Sequence, residues 1–246
     1  MTSGNVTIDV EGAPMTAYVA RPDRGRHPAA IVLEGVYGFD DELRRITDLL
    51  ASTGYVGIAI DYFHRTDPDL REPFTEEGRR HGTAATKAVT KAGLRADVAA
   101  ARDWLNAQPF VEYGRVATWG FGFGGTAAFV TASLPGLVGA VAFYGQSVTS
   151  AMPSGESAPL DDVAAIRAPL LLVFGGRDAL IAESDIEATV RTLNVHGKTH
   201  DVQIYPNVGH SFFRTSGESV AAREAADAWD RVQAFLQRTT AGAVRR

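Results

Sequence analysis

Three short segments of the chain contain residues that can transfer protons or assist acyl chemistry. Residues 120–125, GFGFGG, lie between an apolar run, RVATW, and a helical pattern, GTAAFVTASL. Asp178 follows the run PLLLVFGGR, and His210 follows VQIYPNVG. An aspartate that accepts the Nδ1 proton of a histidine leaves Nε2 able to act as a general base. The pair therefore predicts proton-transfer chemistry.

The glycine-rich segment has the frame of a nucleophile elbow, in which a serine or cysteine stands at the centre of G-x-S-x-G or G-x-C-x-G. Here the central residue is Gly122, so the nucleophile position is vacant. The chain has no cysteine, which excludes a thiolate nucleophile or metal ligand at any other position. Elbow, acid and histidine nevertheless follow one another in the order of an α/β-hydrolase catalytic triad.

Apolar runs alternate with amphipathic patterns along the chain, and each of the three segments follows an apolar run. Strands are expected at residues 6–10, 16–20, 29–35, 56–63, 115–119, 138–144, 170–174 and 201–205, and helices at 40–50, 94–105, 183–193 and 219–236 and from Gly124 onward. This alternation is typical of an α/β fold with a mostly parallel central sheet and helices on both faces. In such a sheet, ligands bind at the carboxyl ends of the strands. Residues 65–90 and 149–165 are not explained by the sheet, and we interpret them as lids or surface loops.

Length and composition limit the class of protein. The chain has 246 residues, 45% of them hydrophobic, which predicts a single domain over residues 1–246 with a flexible tail at about 238–246. The net charge of -5 comes without a basic stripe, so we expect a small-molecule substrate and neither nucleic acid nor membrane as a partner. No signal peptide or membrane-spanning run is evident, which predicts a cytoplasmic location. We expect a monomer or homodimer.

No cofactor or metal is implied by the sequence. The histidines other than His210 follow no metal-ligand spacing, and we interpret them as surface or loop residues: His27, His64, His81, His196 and His200.

Four segments resemble the dienelactone hydrolase family in family order: LEGVYGFDDELRRITDLLASTGYVGIAIDYFHR, GFGFGGTAAF, LLLVFGGRDALI and NVGHSFFRTSGES. The resemblance covers almost the whole chain and implies an α/β-hydrolase fold. It also implies that Asp178 and His210 are the acid and base, and that Arg214 holds a substrate carboxylate. Backbone N–H groups of Phe123 and Val36 are then expected to form the oxyanion hole.

The chain departs from this family at two positions. The elbow cysteine of the family is replaced by Gly122, and Gly35 stands where the family has a glutamate that contacts the thiol, with Glu34 one position earlier. A shift of one residue at a strand end turns a side chain to the other face. Because both positions differ together, we interpret the change as natural divergence rather than an engineered substitution.

Aromatic residues near the glycine-rich turns are expected to line an apolar pocket: Tyr37, Phe121, Phe123, Tyr144, Phe212 and Phe213. We place Glu34 and Gly35 beside that pocket. Arg79 and Arg80, with His81, are a weaker candidate for a second anion site.

Three functions are consistent with these residues. The leading hypothesis is a general-base enzyme in which His210 activates water or deprotonates a small lactone, ester or enolisable carbonyl substrate, leading to hydrolysis, proton transfer or cyclisation. The first alternative is an inactive protein that binds a small molecule or partner. The second alternative is a hydrolase with a displaced nucleophile, Ser147 or Ser211.

Overall fold

A computed structural model describes residues 1–68, 70–214 and 222–242. Its strands are β1 (Thr2–Val10), β2 (Ala13–Arg21), β3 (His27–Leu33), β4 (Val56–Ile60), β5 (Val111–Phe121), β6 (Leu137–Phe143), β7 (Leu170–Gly175) and β8 (His200–Tyr205). Its helices are α1 (Asp41–Ser52), α2 (Glu76–Ala85), α3 (Lys91–Asn106), α4 (Phe123–Thr131), α5 (Glu183–Val195) and α6 (Ala222–Gly242), with short 3₁₀ turns at Thr86–Ala88 and Pro159–Ala165.

The eight strands form one sheet in the order β1-β2-β4-β3-β5-β6-β7-β8. Strands β1 and β2 are antiparallel to their neighbours, and all pairs from β4 to β8 are parallel. The central strands are buried along almost their entire length, which explains why they are continuous apolar runs rather than alternating ones. Because these strands are parallel, the carboxyl ends of β3, β5, β6, β7 and β8 lie along one edge of the sheet.

Helices cover both faces of the sheet. On one face, α1 packs so closely on β4 that a β-carbon on Gly57 would lie 2.7 Å from the Thr47 carbonyl oxygen. On the same face, Trp119 of β5 stacks on Trp229 of α6 with ring centroids 5.5 Å apart. Helices α3 and α4 pack against each other and against β3 and β5. The predicted α/β fold with a mostly parallel sheet is therefore confirmed.

Local sequence explains where helix α1 begins. Asp40 has an extended backbone, and its side chain accepts a hydrogen bond from the Leu43 backbone N–H at 2.9 Å. A short polar acceptor at this position satisfies one of the N–H groups that the first helical turn leaves unpaired. The apolar side chains of Leu43, Ile46 and Leu50 then face the sheet.

Most predicted elements are present, with different ends. The strand expected at 56–63 ends at Ile60, because the Asp61 side chain accepts the Phe63 N–H at 3.0 Å and turns the chain. Residues 219–221 of the helix expected at 219–236 lie outside the described residues, and the described helix begins at Ala222. That helix continues to Gly242, so the prediction of a flexible tail is wrong for residues 238–242, where Thr240 is buried and donates to the Leu236 carbonyl. Residues 243–246 lie outside the described part.

His64, interpreted from the sequence as a surface or loop residue, lies in the loop after β4 but is not at the surface. Its side chain is buried, with Nε2 3.0 Å from Asp97 Oδ1 and Nδ1 3.1 Å from the Pro14 carbonyl oxygen. Arg65 binds the same aspartate oxygen at 2.7 Å. These contacts tie the loop after β4 to helix α3 and to strand β2.

The two segments not explained by the sheet pattern form ordered structure beside it. Helix α2 lies within residues 65–90 and packs tightly on the loop after β3, since a β-carbon on Gly82 would lie 1.5 Å from the Val36 carbonyl oxygen. In the second segment, Asp162 accepts hydrogen bonds from Lys91 at 2.9 Å and from Arg95 at 3.2 Å.

No helix in the described residues is long and apolar enough to cross a bilayer.

Candidate active site

His210 and Asp178 are joined by a hydrogen bond. Nδ1 of His210 lies 2.7 Å from Oδ2 of Asp178, and the other carboxylate oxygen accepts the Leu180 N–H at 2.8 Å. The aspartate side chain is only 1% exposed, so both of its oxygens are used inside the protein. This arrangement places the proton on Nδ1 and leaves Nε2 as the hydrogen-bond acceptor.

Gly122 lies at the end of β5 and immediately precedes helix α4. Its backbone angles, φ 56° and ψ -118°, are in a region that side-chain-bearing residues rarely adopt. A β-carbon on Gly122 would nevertheless meet no backbone: the nearest atoms are His210 Nε2 at 3.6 Å and Gln146 Nε2 at 3.7 Å. The position therefore has space for a side chain, and that side chain would touch the histidine.

The neighbouring glycines, Gly120 and Gly124, are required because the chain packs closely around them. A β-carbon on Gly120 would lie 1.9 Å from the Gly124 carbonyl oxygen, and one on Gly124 would lie 2.2 Å from the carbonyl oxygens of Leu33 and Glu34. These contacts bring the start of α4 directly against β3. Gly120 and Gly124 are therefore required by close packing, whereas Gly122 is not.

Gln146 was missed by the sequence analysis. Its Nε2 lies 3.3 Å from Nε2 of His210, and its backbone carbonyl accepts a hydrogen bond from the Thr126 hydroxyl on α4. Because Nε2 of His210 is an acceptor, the geometry fits an N–H of the glutamine side chain that donates to it. The available signal was its position just after strand β6, at the same sheet edge as the other site residues.

Backbone N–H groups are available where the oxyanion hole was predicted. Phe123 is the first residue of α4, and N–H groups in a first helical turn have no partner within the helix. Val36 lies in the loop after β3, held by the close contact with Gly82 of α2. Both residues line the same cleft as Gly122 and His210.

A cleft that opens to solvent lies at this edge of the sheet. The predicted residues that line it are Glu34, Gly35, Val36, Tyr37, Phe121, Gly122, Phe123, Tyr144, His210, Phe213 and Arg214. Lining residues that the sequence did not indicate include Glu42, Leu43, Ile46, Gln146 and Leu180. Their signal is weak, because three of them belong to an ordinary amphipathic helix.

Two aromatic predictions have different outcomes. Tyr144 lines the cleft, its ring centroid lies 4.9 Å from that of His210, and burial raises the pKa of its phenol. Phe212 does not line the cleft: it is 1% exposed and packs between Phe143 and Tyr205. The prediction for Phe212 is wrong because adjacent residues of the turn, Phe212 and Phe213, point to different surroundings.

The two candidate serines lie in different places. Ser211 lines the main cleft and has a positive φ of 61°. Ser147 instead lines a neighbouring cleft, which shares Gln146 and Leu180 with the first. In the described residues, the hydrogen-bond partners of the His210 ring are Asp178 and Gln146.

Glu34 lies in the cleft wall despite its one-residue shift. Val32 of β3 is paired with Trp119 of β5, so the next residues of the same parity, Glu34 and Phe121, share one face of the sheet. The side chain is buried, and no side chain among the described residues hydrogen-bonds either carboxyl oxygen; the Tyr62 backbone N–H acts on the carboxyl.

The surroundings of Glu34 favour its neutral form. Burial, followed by the charges of Asp61 and Asp40, raises the pKa of this carboxyl well above its usual value, and the Tyr62 backbone N–H opposes the shift least strongly. Ionisation of Glu34 is therefore disfavoured in the folded protein.

Arg214 is at the cleft wall but already has a counterion. It donates to the Asp40 carboxylate and stacks over the rings of Tyr37 and Phe74, at 5.1 and 4.5 Å from their centroids. Its role as a carboxylate-binding residue stays a prediction.

The candidate second anion site is divided. Arg79 lines the cleft and is paired with Glu76, its Nε 2.9 Å from a carboxylate oxygen. Arg80 and His81 do not line it. The described residues contain no group of three or more histidine and carboxylate side chains that could hold a metal ion.

The strand order and the turn at Gly122 define an α/β-hydrolase-type fold. The chain belongs to the dienelactone hydrolase family, whose model matches residues 15–240. A crystal structure described as "Putative Dienelactone Hydrolase" from Klebsiella pneumoniae superimposes with a TM-score of 0.86 at 28% identity, covering 96% of this chain and 98% of that one.

Curated relatives cover the chain almost end to end. "Putative carboxymethylenebutenolidase" from Synechocystis sp. is 30% identical over 233 residues, which cover 94% of this chain and 95% of that protein. "Probable 2-oxo-3-(5-oxofuran-2-ylidene)propanoate lactonase" from Bradyrhizobium sp. is 30% identical over 241 residues, covering 94% and 92%. The second of these names describes a lactonase.

Proposed function

We propose that this protein acts on a small lactone, ester or enolisable carbonyl compound by general-base catalysis, without a covalent intermediate. The observation that carries this proposal is the position of His210 Nε2, 3.6 Å from where a β-carbon on Gly122 would lie, while Nδ1 is held by Asp178. Membership of a family with lactonase relatives supports the substrate class.

The hydrolytic reaction follows from these positions. A water in the space beside Gly122 gives a proton to His210 Nε2 as its oxygen bonds to the substrate carbonyl carbon. Asp178 stabilises the resulting imidazolium, and the N–H groups of Phe123 and Val36 stabilise the oxyanion. The tetrahedral intermediate then breaks its C–O bond to the leaving group, which takes the proton from His210.

A substrate with an acidic C–H offers a second path on the same residues. His210 Nε2 then removes that proton, the electron pair moves onto the carbonyl oxygen, and the same two N–H groups stabilise the enolate. General-base assistance is worth about 10² to 10⁴ in rate, which suffices for a strained lactone or enol ester.

An inactive binding protein is the second candidate, and one observation favours it. Gln146 lies within 3.3 Å of the basic nitrogen of His210, a contact that occupies the base when no substrate is bound. In that case ligand affinity survives the loss of His210, and no product forms.

Turnover of a panel of small lactones and activated esters tests the proposal. We expect His210→Ala to lower kcat about 10² to 10⁴-fold, and the exposed His196→Ala to leave it unchanged. Intact-mass analysis during turnover should find no covalent adduct. An adduct on Ser211 or Ser147 would instead indicate the displaced nucleophile, and ligand binding without turnover would indicate the inactive protein.

A further inference from the structure

The charges around the cleft are arranged in neutral pairs. Arg214 is paired with Asp40, and Arg79 is paired with Glu76. Among the described residues, the cleft therefore has no cation whose charge is not already opposed by a nearby carboxylate. A carboxylate ligand would have to compete with one of these acids for its arginine.

Glu42 adds no uncompensated charge. It lines the cleft from helix α1, and its carboxylate is bound by Arg45 through two hydrogen bonds, at 2.8 and 3.0 Å. The Glu42 carboxylate is therefore also opposed by a nearby cation.

Glu34 is the exception, because no cation or donor side chain in the described part of the chain contacts its carboxyl oxygens. It is 1% exposed and shares its sheet face with Phe121, which lines the cleft. A buried polar group without a partner carries a free-energy cost unless it is satisfied by water or a ligand. A ligand that accepts a hydrogen bond there would recover that cost.

We propose that the cleft selects uncharged carbonyl compounds over carboxylates, and that Glu34, as a neutral carboxylic acid, donates a hydrogen bond to an oxygen of the ligand. This inference rests on the proposed function, because it names the substrate class of the same cleft. It departs from the expectation that Arg214 holds a substrate carboxylate.

Protonated Glu34 has one O–H donor, and an ester, lactone or ketone has no ionised group that would repel the nearby Asp61 carboxylate. A carboxylate ligand would place a further negative charge beside it, in a poorly solvated wall. The same arrangement therefore favours one class and disfavours the other.

Binding of two matched probes tests this selectivity without any need for turnover. Benzylacetone and hydrocinnamate carry the same phenylethyl group, the first on a methyl ketone and the second on a carboxylate. By calorimetry at neutral pH, we expect the ketone to bind at least about tenfold more tightly, the worth of roughly one hydrogen bond to a buried group. Equal or tighter binding of hydrocinnamate, or failure of benzylacetone to bind, overturns the proposal.

Variants of Glu34 identify the group responsible. Glu34→Gln keeps a neutral donor and is expected to retain ketone affinity within about threefold, whereas Glu34→Leu removes the donor and is expected to lose about tenfold. The exposed Glu187→Gln is the matched control. If Glu34→Leu binds the ketone as tightly as the parent, Glu34 is not the donor.

A second variant tests the charge argument separately. Asn is as good a helix cap as Asp, so Asp40→Asn keeps the start of α1 while removing the carboxylate that competes for Arg214 of the cleft wall. We expect its affinity for hydrocinnamate to rise several-fold, and an unchanged affinity contradicts the argument.

Infrared spectroscopy measures the protonation of Glu34 directly. At neutral pH the parent should show the carbonyl stretch of a protonated carboxylic acid, and Glu34→Gln should lack it. Absence of that band in the parent overturns the proposal. If the protein shows the band and prefers the ketone but turns no substrate over, the selectivity proposal stands and the catalytic proposal fails. If His210-dependent turnover is found for charged substrates alone, the catalytic proposal stands and the selectivity proposal fails.

Discussion

Nε2 of His210 lies 3.6 Å from the point that a β-carbon on Gly122 would occupy, although 88 positions separate the two residues in the sequence. A histidine held by Asp178 thus faces a vacant place of side-chain size. The backbone at Gly122 has the φ of 56° that an elbow imposes, so the turn is kept where no side chain uses it. This geometry leads to predictions for both residues and for the groups that hold them.

A thiol at position 122 should react. Gly122→Cys places sulfur beside His210, with space for the β-carbon, so we expect alkylation by iodoacetamide and an acyl adduct with activated esters by intact-mass analysis. The positive φ should lower stability by about 1 to 3 kcal/mol.

Gly122→Ala is the matched control for this variant, since it has the same backbone strain and no thiol. It should show the same loss of stability in thermal unfolding and form no adduct. A Gly122→Cys protein that folds but reacts no faster than free cysteine would contradict the inferred position of the base.

Asp178 should be important for catalysis although it does not line the cleft, because it holds His210. Asp178→Asn removes the acceptor that fixes the His210 tautomer and stabilises its positive charge. We expect kcat to fall about 10² to 10⁴-fold with a smaller change in KM. Asp201 is a suitable control, because it is exposed and forms a surface ion pair with Arg238. Asp201→Asn should change kcat by less than about twofold.

Gly82 should be required for the loop that contains Val36. Gly82→Ala would place a β-carbon 1.5 Å from the Val36 carbonyl oxygen, so α2 or the loop must move. We expect a loss of about 1 to 3 kcal/mol in the free energy of unfolding. Displacing an oxyanion-hole N–H by about 1 Å should also lower kcat by up to about 10²-fold.

Gly93→Ala in α3 is the corresponding control, since its β-carbon would meet side-chain atoms and no backbone: the Thr90 hydroxyl at 3.2 Å and the Arg65 guanidinium at 3.8 Å. Alanine has the higher helix propensity, so stability should change by no more than about 1 kcal/mol. Equal effects of the two substitutions on kcat would show that the contact with Val36 is not special.

Glu34 should make stability depend on pH. Burial and the charges of Asp61 and Asp40 raise the pKa of Glu34 in the folded chain above that in the unfolded chain. Below the unfolded value of about 4.3, the carboxyl is protonated in both states and adds no pH dependence. At higher pH the unfolded chain ionises first, which lowers the free energy of unfolding until the pH passes the folded pKa.

Glu34→Gln removes this effect. Its unfolding temperature should exceed that of the parent at neutral pH, and the difference should shrink towards about pH 4. Glu187→Gln should track the parent throughout. A parent protein that gains stability relative to Glu34→Gln as the pH rises would mean that Glu34 is ionised when folded.

The α/β architecture was predictable because its signals are local. Continuous apolar runs mark buried parallel strands, and the chain order of elbow, acid and histidine places Gly122, Asp178 and His210 at strand ends whatever the details of packing. Asp40 was readable as a cap for the same reason, since its partner, Leu43, is three residues away.

Element ends were less predictable. The extension of α6 to Gly242 depends on burial of Thr240, and the end of β4 depends on the turn that Asp61 makes. A composition rich in Thr, Ala and Gly suggests a frayed tail when packing is unknown. The burial of His64 was not predictable for the same reason, because it depends on a distant partner, Asp97 of helix α3.

The sequence by itself determined the class of fold and the residues that can act as acid and base, because these follow from periodicity and from motifs of a few residues. Only the tertiary structure decided that Gln146 contacts His210, that Arg214 is paired with Asp40 from 174 positions away, and that no side chain in the described chain hydrogen-bonds the Glu34 carboxyl. Such contacts depend on strand order and on the loop conformations between strands, so no local pattern encodes them.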